Sequence, residues 1–371
     1  MKVGKKNKVS SSILDYNIAL IGESGIGKTT LAYNVCEKLV GPEGYLFLEC
    51  GKEDGAGAIE GINYVTVDTW NDDYDEDKNT IGFKSLIDDI VENKTSDYPE
   101  LKTIVIDTID ELCILSKEEV VRMHNRKHPD KKVDSVRAAF GGFMAGEDMA
   151  NQMILDSLWE LKKVGVAFII IGHTKIREQQ DLASGDTYSQ LTTNMSLRDF
   201  NAIKTKLHFL GVAYNDRNII KEKSKKDPKK TIGTIMDESR KIVFRSDDFS
   251  VDSKSRFANI VPEIPLNADA FIKALEDAIA NSIPGSLEER QKEDTKKEEK
   301  RIKEIAKAEE EHKAAGNLDD VLAKIKQFCS DNKGNKEKLA EIIGASKERG
   351  FSNPMKIDNI DDAEEILKLC V

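Results

Sequence analysis

The run IALIGESGIGKTT, residues 18–30, constrains the fold more than any other part of the chain. An apolar segment stops at Gly22, and residues 22–29 then match the pattern GxxxxGK followed by Ser or Thr at every fixed position. Such a loop works only between a buried strand and a helix. There the bare backbone curls N–H groups around phosphate oxygens, and the helix N-terminus adds its partial positive charge. Gly22, Glu23, Ser24, Gly25, Ile26, Gly27, Lys28, Thr29 and Thr30 are therefore expected to hold a nucleoside triphosphate. Lys28 is expected to reach the β- and γ-phosphates, and the Thr29 hydroxyl to bind Mg²⁺.

The flanking pattern agrees with that requirement. Apolar runs at 18–22, 45–49, 64–67, 103–107 and 166–172 are short, rich in Ile, Val, Leu and Phe, and nearly continuous. Strands buried on both faces read this way. Helix-period segments at 28–40, 82–93, 111–127 and 146–164 alternate with them. The expected fold class is α/β: a parallel central sheet flanked by helices. Residues 174–196 are polar and read as a long loop. A helix at 197–207, a strand at 208–214, hairpin material around a lysine-rich tip and a helix within 263–283 complete the domain.

Beyond Ser286 nearly every residue is charged or alanine, with both signs mixed at i,i+4 spacing, which predicts a solvated helical linker. Apolar positions return at Leu318, Val321, Ile325 and Phe328 and predict a small helical domain. The expected division is a basic flexible terminus at 1–14, an ATPase domain at 15–285, a linker at 286–316 and the helical domain at 317–371. A formal net charge of -11 excludes a general basic coat for nucleic acid, so phosphate backbones must be met by a local patch. Five scattered cysteines without a CxxC predict reduced thiols. With no apolar membrane span in the sequence, the expected location is the cytoplasm.

Hydrolysis needs more groups at the same sheet edge. Asp107 ends the run TIVID and is expected to hold Mg²⁺ with Thr29; its other reading is a cap for the next helix, a role Asp110 and Glu111 fit better. Glu49, at the end of the second strand, and Glu53, in the turn after it, are alternative bases for the attacking water. Glu53 is favoured slightly because a loop residue can approach the γ-phosphate from outside the sheet. His173 ends the run VAFIIIGH, at the strand edge where open α/β sheets bind ligands, and can sense the γ-phosphate.

In this order the parts resemble a RecA-like core. More closely, the chain is similar to phage-encoded AAA-type ATP-binding proteins related to single-strand annealing and recombination proteins. The segments that carry the likeness are IALIGESGIGKTTLA, LECGKEDGAGAI, TIVIDTIDEL, FIIIGHTK and DSKSRF. The resemblance implies an oligomer with ATP between subunits, in which Lys254 and Arg256 of one protomer reach the neighbour's γ-phosphate. It also implies that residues 177–195 face single-stranded DNA, although they contain one arginine and no lysine. Lys221, Lys223, Lys225, Lys226, Lys229 and Lys230 form a second DNA candidate, or a solvated lysine-rich turn. The implied function is ATP-dependent DNA recombination through single-strand binding and annealing, in a host bacterial cytoplasm. The alternative is a nucleotide switch whose helical tail docks a protein. In the first case the tail can recruit a single-strand-binding protein.

Overall fold

Alternation decides which way each strand faces. The computed structural model describes residues 4, 6–181, 184–223, 231–246, 250–332, 336–349, 351–357 and 360–370. Strands β1 (Ile18–Gly22), β2 (Tyr45–Cys50), β3 (Tyr64–Thr69), β4 (Thr80–Gly82), β5 (Thr103–Asp107) and β6 (Ala167–Gln180) pair in parallel in the order β1-β6-β5-β2-β3-β4. Between and after them come helices α1 (Lys28–Val40), α2 (Phe83–Glu92), α3 (Ile109–Lys127), α4 (Ala145–Lys163), α5 (Leu197–Lys204) and α6 (Ala268–Ala280).

Ala19, Ile21, Leu48, Ile104, Ile106 and Ile170 pack beneath α2, α3, α4 and α5 through Ile87, Leu112, Leu158 and Phe200. Ile18 and Leu20, one residue out of phase, pack with Leu31 and Val35 of α1 and with Phe271 and Leu275 of α6. Both faces of the sheet are thus covered, which is why its strands read as continuous apolar runs. Each large aliphatic side chain so buried contributes about 1.5–3 kcal/mol relative to exposure. The expected α/β class is what the chain adopts.

Two features differ from the sequence reading. Residues 174–196 do not form a long loop: β6 continues to Gln180 and pairs antiparallel with β7 (Thr187–Thr193). A hairpin polar on both sides has no hydrophobic alternation to announce it, and its backbone ladder supplies the order instead. The sheet is also mixed rather than wholly parallel. Strand β8 (Phe209–Lys223) runs parallel beside β1, and β9 (Thr231–Val243) turns back along it. Short strands β10 (Lys254–Ser255) and β11 (Glu263–Pro265) add to β8 and β9. Lys221 and Lys223 lie in β8 opposite Gly233 and Thr231, whereas Lys225, Lys226, Lys229 and Lys230 lie outside the described residues.

The chain divides into two compact units, 1–92 with 96–299, and 93–95 with 300–371. Helix α7 (Leu287–Asp331) begins in the first and continues into the second, with i,i+4 pairs such as Lys300–Glu304 and Lys307–Glu311 on its surface. In the second unit Val321 and Ile325 of α7 pack with Ile342 of α8 (Lys336–Glu348), with Ile357, and with Ala363 and Ile366 of α9 (Ile360–Lys368). All five cysteines are free thiols. No helix among the described residues is long and apolar enough to cross a membrane.

Candidate active site

Strand register gathers the site. Gly22 of β1 lies opposite His173 of β6, Asp107 of β5 opposite Ile171 of β6, and Glu49 of β2 opposite Asp107. Four separate stretches of sequence therefore meet at one edge of the sheet, beyond which β6 alone of these four strands runs on, and it is there that ligands of open α/β folds bind. Gly22 must be glycine, because a Cβ there would stand 2.8 Å from the Ala213 carbonyl oxygen of β8. The loop then turns through Gly25 at φ +75° and Gly27 at φ +104°, left-handed conformations that favour glycine.

Lys28 opens α1 yet is almost wholly buried, with Nζ donating to the carbonyls of Gly22 (3.2 Å) and Glu23 (3.0 Å). Burial pulls its pKa down, and the nearby carboxylates of Asp107, Glu53 and Asp110 push it back up. The ammonium is thus held inside the curl of the loop by weak neutral acceptors, which phosphate oxygens can replace. Thr29, one residue on, donates its hydroxyl to Asp107 Oδ2 at 2.6 Å. Burial raises the Asp107 pKa, and the Thr29 hydrogen bond opposes that. A hydroxyl and a carboxylate in contact are hard oxygen donors of the kind Mg²⁺ takes. Among the described residues no group of three or more His, Cys, Asp or Glu is placed to cage a metal. The donor set fits an ion that completes its shell with phosphate oxygens and water. The turn after β2 folds over this pair, since a Cβ on Gly55 would lie 3.3 Å from Thr29 Oγ1.

The structure separates the two glutamates. Glu49 is buried and accepts the Ala56 amide at 2.8 Å, so it pins the turn that covers Thr29. Burial raises its pKa. Glu53 remains more open and faces inward: its Oε1 accepts from Thr108 Oγ1 at 3.4 Å and lies 3.9 Å from His173 Nδ1. Asp110 and Glu111 both lie in the first turn of α3, where the sequence reading puts acids suited to a helix start, while Thr108 at its N-cap makes no side-chain cap. Asp110 Oδ2 also accepts the backbone N–H of His173 at 2.9 Å, across from one element to another. Glu111 lies against the turn after β2, where a Cβ on Gly51 would meet its carboxylate.

Two residues escaped the sequence reading. Asn215 of β8 donates to Glu23 Oε2 at 3.0 Å, and Arg240 of β9 donates to the Ile26 carbonyl at 3.3 Å. They are direct cross-strand partners, so the base of the β8–β9 hairpin holds the phosphate loop at both ends. In sequence both stand within polar runs, NDRN at 215–218 and DESRK at 237–241, which carry no alternation to mark them. Lys254 and Arg256 lie elsewhere. Lys254 pairs with Leu210, near the amino end of β8, at the edge opposite the phosphate loop. Lys254 Nζ donates to the Lys204 carbonyl at 2.6 Å, while Arg256 donates to the carbonyls of Leu207 (3.1 Å) and Thr205 (2.6 Å). Both cations sit on the carbonyl-rich C-terminal end of α5.

A family model described as an AAA domain matches residues 14–256. A solved KaiC-like protein from the hyperthermophilic archaeon Pyrococcus horikoshii OT3 is similar over 67% of this chain and 84% of its own, at 13% identity and a TM-score of 0.32. No curated protein matches the chain in sequence.

Proposed function

The chain belongs to the AAA-domain family, and from that premise we propose that it is an oligomeric, RecA-like Mg²⁺-ATPase that binds single-stranded DNA and promotes its annealing in phage-type recombination. The observation that carries the ATPase part is the convergence of Lys28, Thr29, Asp107, Glu53 and His173 on one sheet edge. Lys28 would leave the loop carbonyls for the β- and γ-phosphates. Thr29 and Asp107 would hold Mg²⁺, which supplies charge neutralisation at the phosphates. Glu53 would accept the proton of the attacking water, and His173, beside Glu53, would register whether the γ-phosphate is present. Lys254 and Arg256, at the opposite edge, would reach a neighbouring protomer's nucleotide.

Support for DNA comes from a segment with no assignment in the sequence reading. Residues 126–137 hold Arg126, Lys127, Lys131, Lys132 and Arg137 against Asp130 and Asp134, in a chain that is acidic as a whole. Just beyond them Phe143 is fully exposed, with φ +51°, in a run of left-handed residues from Phe140 to Met144. An exposed aromatic beside surplus cations suits stacking on an unpaired base next to phosphate contacts. Arg126 and Arg137 are each paired with an acid, Glu119 and Glu147, but stay mostly exposed. The test is ATP turnover with and without single-stranded DNA at low and moderate salt. Stimulation that fades with salt, and is reduced by Phe143→Ala, supports the proposal.

The second reading is a nucleotide-dependent switch whose helical second unit docks a protein. The net charge of -11 favours it. Turnover indifferent to DNA but altered by removal of residues 317–371 would select that reading.

A further inference from the structure

The proposed reaction leaves one half-buried carboxylate at the site without a task. Asp110 is in the first turn of α3, three residues after Asp107, with its side chain only 14% exposed. Its Oδ2 accepts the His173 N–H at 2.9 Å and lies 3.6 Å from His173 Nδ1. Its Oδ1 is buried and has no hydrogen-bond partner among the described residues. Glu53 Oε1 is 3.9 Å from the same nitrogen. His173 Nδ1 thus has two carboxylates near it, one on a loop and one on the helix that follows β5.

We propose that Asp110 is a positioning residue for His173. It fixes β6 at His173 through the main-chain hydrogen bond and offers the acceptor that takes the Nδ1–H of the imidazole, so that the other ring nitrogen faces the γ-phosphate. Three observations converge on this. A helix-dipole role alone needs no contact with β6, and Glu111 supplies a first-turn charge as well. The other oxygen of the same carboxylate, Oδ1, is a buried acceptor with no donor among the described residues, and buried acceptors are rarely left so. The adjoining position is glycine: a Cβ on Gly172 would lie 3.2 Å from Asp110 Oδ2 and 3.1 Å from Ile109 Cγ2. Any side chain at 172 would press on the contact.

The inference rests on the ATPase reading and its role for His173, and an epistasis experiment separates the two. Steady-state ATP hydrolysis and nucleotide affinity are measured for His173→Ala, Asp110→Ala, Asp110→Asn and the double variant Asp110→Ala with His173→Ala, in the full chain. Asp110→Ala is expected to lower kcat by about tenfold with KM nearly unchanged, in the range usual for loss of a group that orients a functional histidine. Asp110→Asn, which keeps an acceptor for the His173 amide and imidazole, is expected to recover most of that loss. In the His173→Ala background Asp110→Ala should change kcat by less than about twofold. A slow His173→Ala beside a normal Asp110→Ala overturns the Asp110 inference alone, as do fully multiplicative effects. A normal His173→Ala overturns the role given to His173 and the positioning role with it. Should Asp110→Ala fail to fold, Gly172→Ala serves in its place, because it displaces the carboxylate without removing it; normal turnover there counts against the proposal.

Discussion

The hydroxyl of Thr29 and Oδ2 of Asp107, 78 residues apart in sequence, are 2.6 Å apart in space. This one bond ties the first residues of α1 to the end of β5, and it places the phosphate loop against the carboxylate that faces it. The carboxylate is buried, and burial raises its pKa. Its charge therefore works against folding while serving the site. Asp107→Asn keeps an acceptor for Thr29 and removes the buried charge. The variant is expected to unfold at higher denaturant, gaining about 1 kcal/mol. Its turnover is expected to fall by about 100-fold or more, as when a group facing developing charge is lost. Chemical denaturation and ATP hydrolysis on the same preparation check both halves.

The two glutamates after β2 should respond differently. Glu53→Gln removes the open carboxylate near Thr108 and His173 and is expected to reduce turnover by about 100-fold, with nucleotide affinity and stability little changed. Glu49→Gln keeps an acceptor for the Ala56 amide and lifts a buried charge. It should retain most activity and be at least as stable as the parent. A raised carboxylate pKa means the folded state binds more protons, so this group's contribution to stability is lost as pH rises through the folded pKa. Glu49→Gln should remove that decline. Turnover lost in Glu49→Gln and kept in Glu53→Gln would reverse the assignment.

The phosphate loop, its helix and Asp107 were legible in the sequence because each is a local pattern: a strand, a fixed spacing of glycines, and a carboxylate ending an apolar run. The boundaries of β1, α1 and β5 fall where the residues place them. The role of Asp110 was not legible, since an acid in the first turn of a helix has a sufficient local explanation and its bond to His173 spans 63 residues. Asn215 and Arg240 were hidden for a related reason. Their contact with the loop depends on β8 lying beside β1, and strand order is a property of the whole sheet. The hairpin at 174–193 was missed because polar strands lack the period that burial imposes.

Lys254 and Arg256 are expected to affect assembly and stability together. Arg256 donates to two carbonyls beyond α5, bonds worth about 1 kcal/mol in an exposed setting. Arg256→Ala should lower stability by that amount in dilute monomer and leave nucleotide binding there intact. If the pair also reaches a neighbour's γ-phosphate, turnover should fall far more than stability does, and mixing with a Lys28→Ala variant, which supplies an intact Arg256, should restore part of it. Mixing without any recovery would confine the pair to its place on α5.

His208 offers a separate test of the opposite edge. Its Nδ1 accepts the Asn17 amide at 2.9 Å, which requires that nitrogen to be unprotonated. Burial, followed by the positive charges of Arg256, Lys162 and Lys254, lowers its pKa to about 4. The unfolded chain protonates near the ordinary value of about 6.5, so between these two values the unfolded state binds more protons. Stability from this group is therefore complete above about pH 6.5 and is lost as pH falls toward 4. Allowing for partial exposure of the ring, the loss should be about 2 kcal/mol by pH 4. His208→Asn keeps an acceptor for Asn17 but does not titrate. Urea unfolding of both proteins at pH 7.5 and 4.5 should show the parent losing more stability than the variant, and equal losses would mean that folding does not lower the pKa of His208.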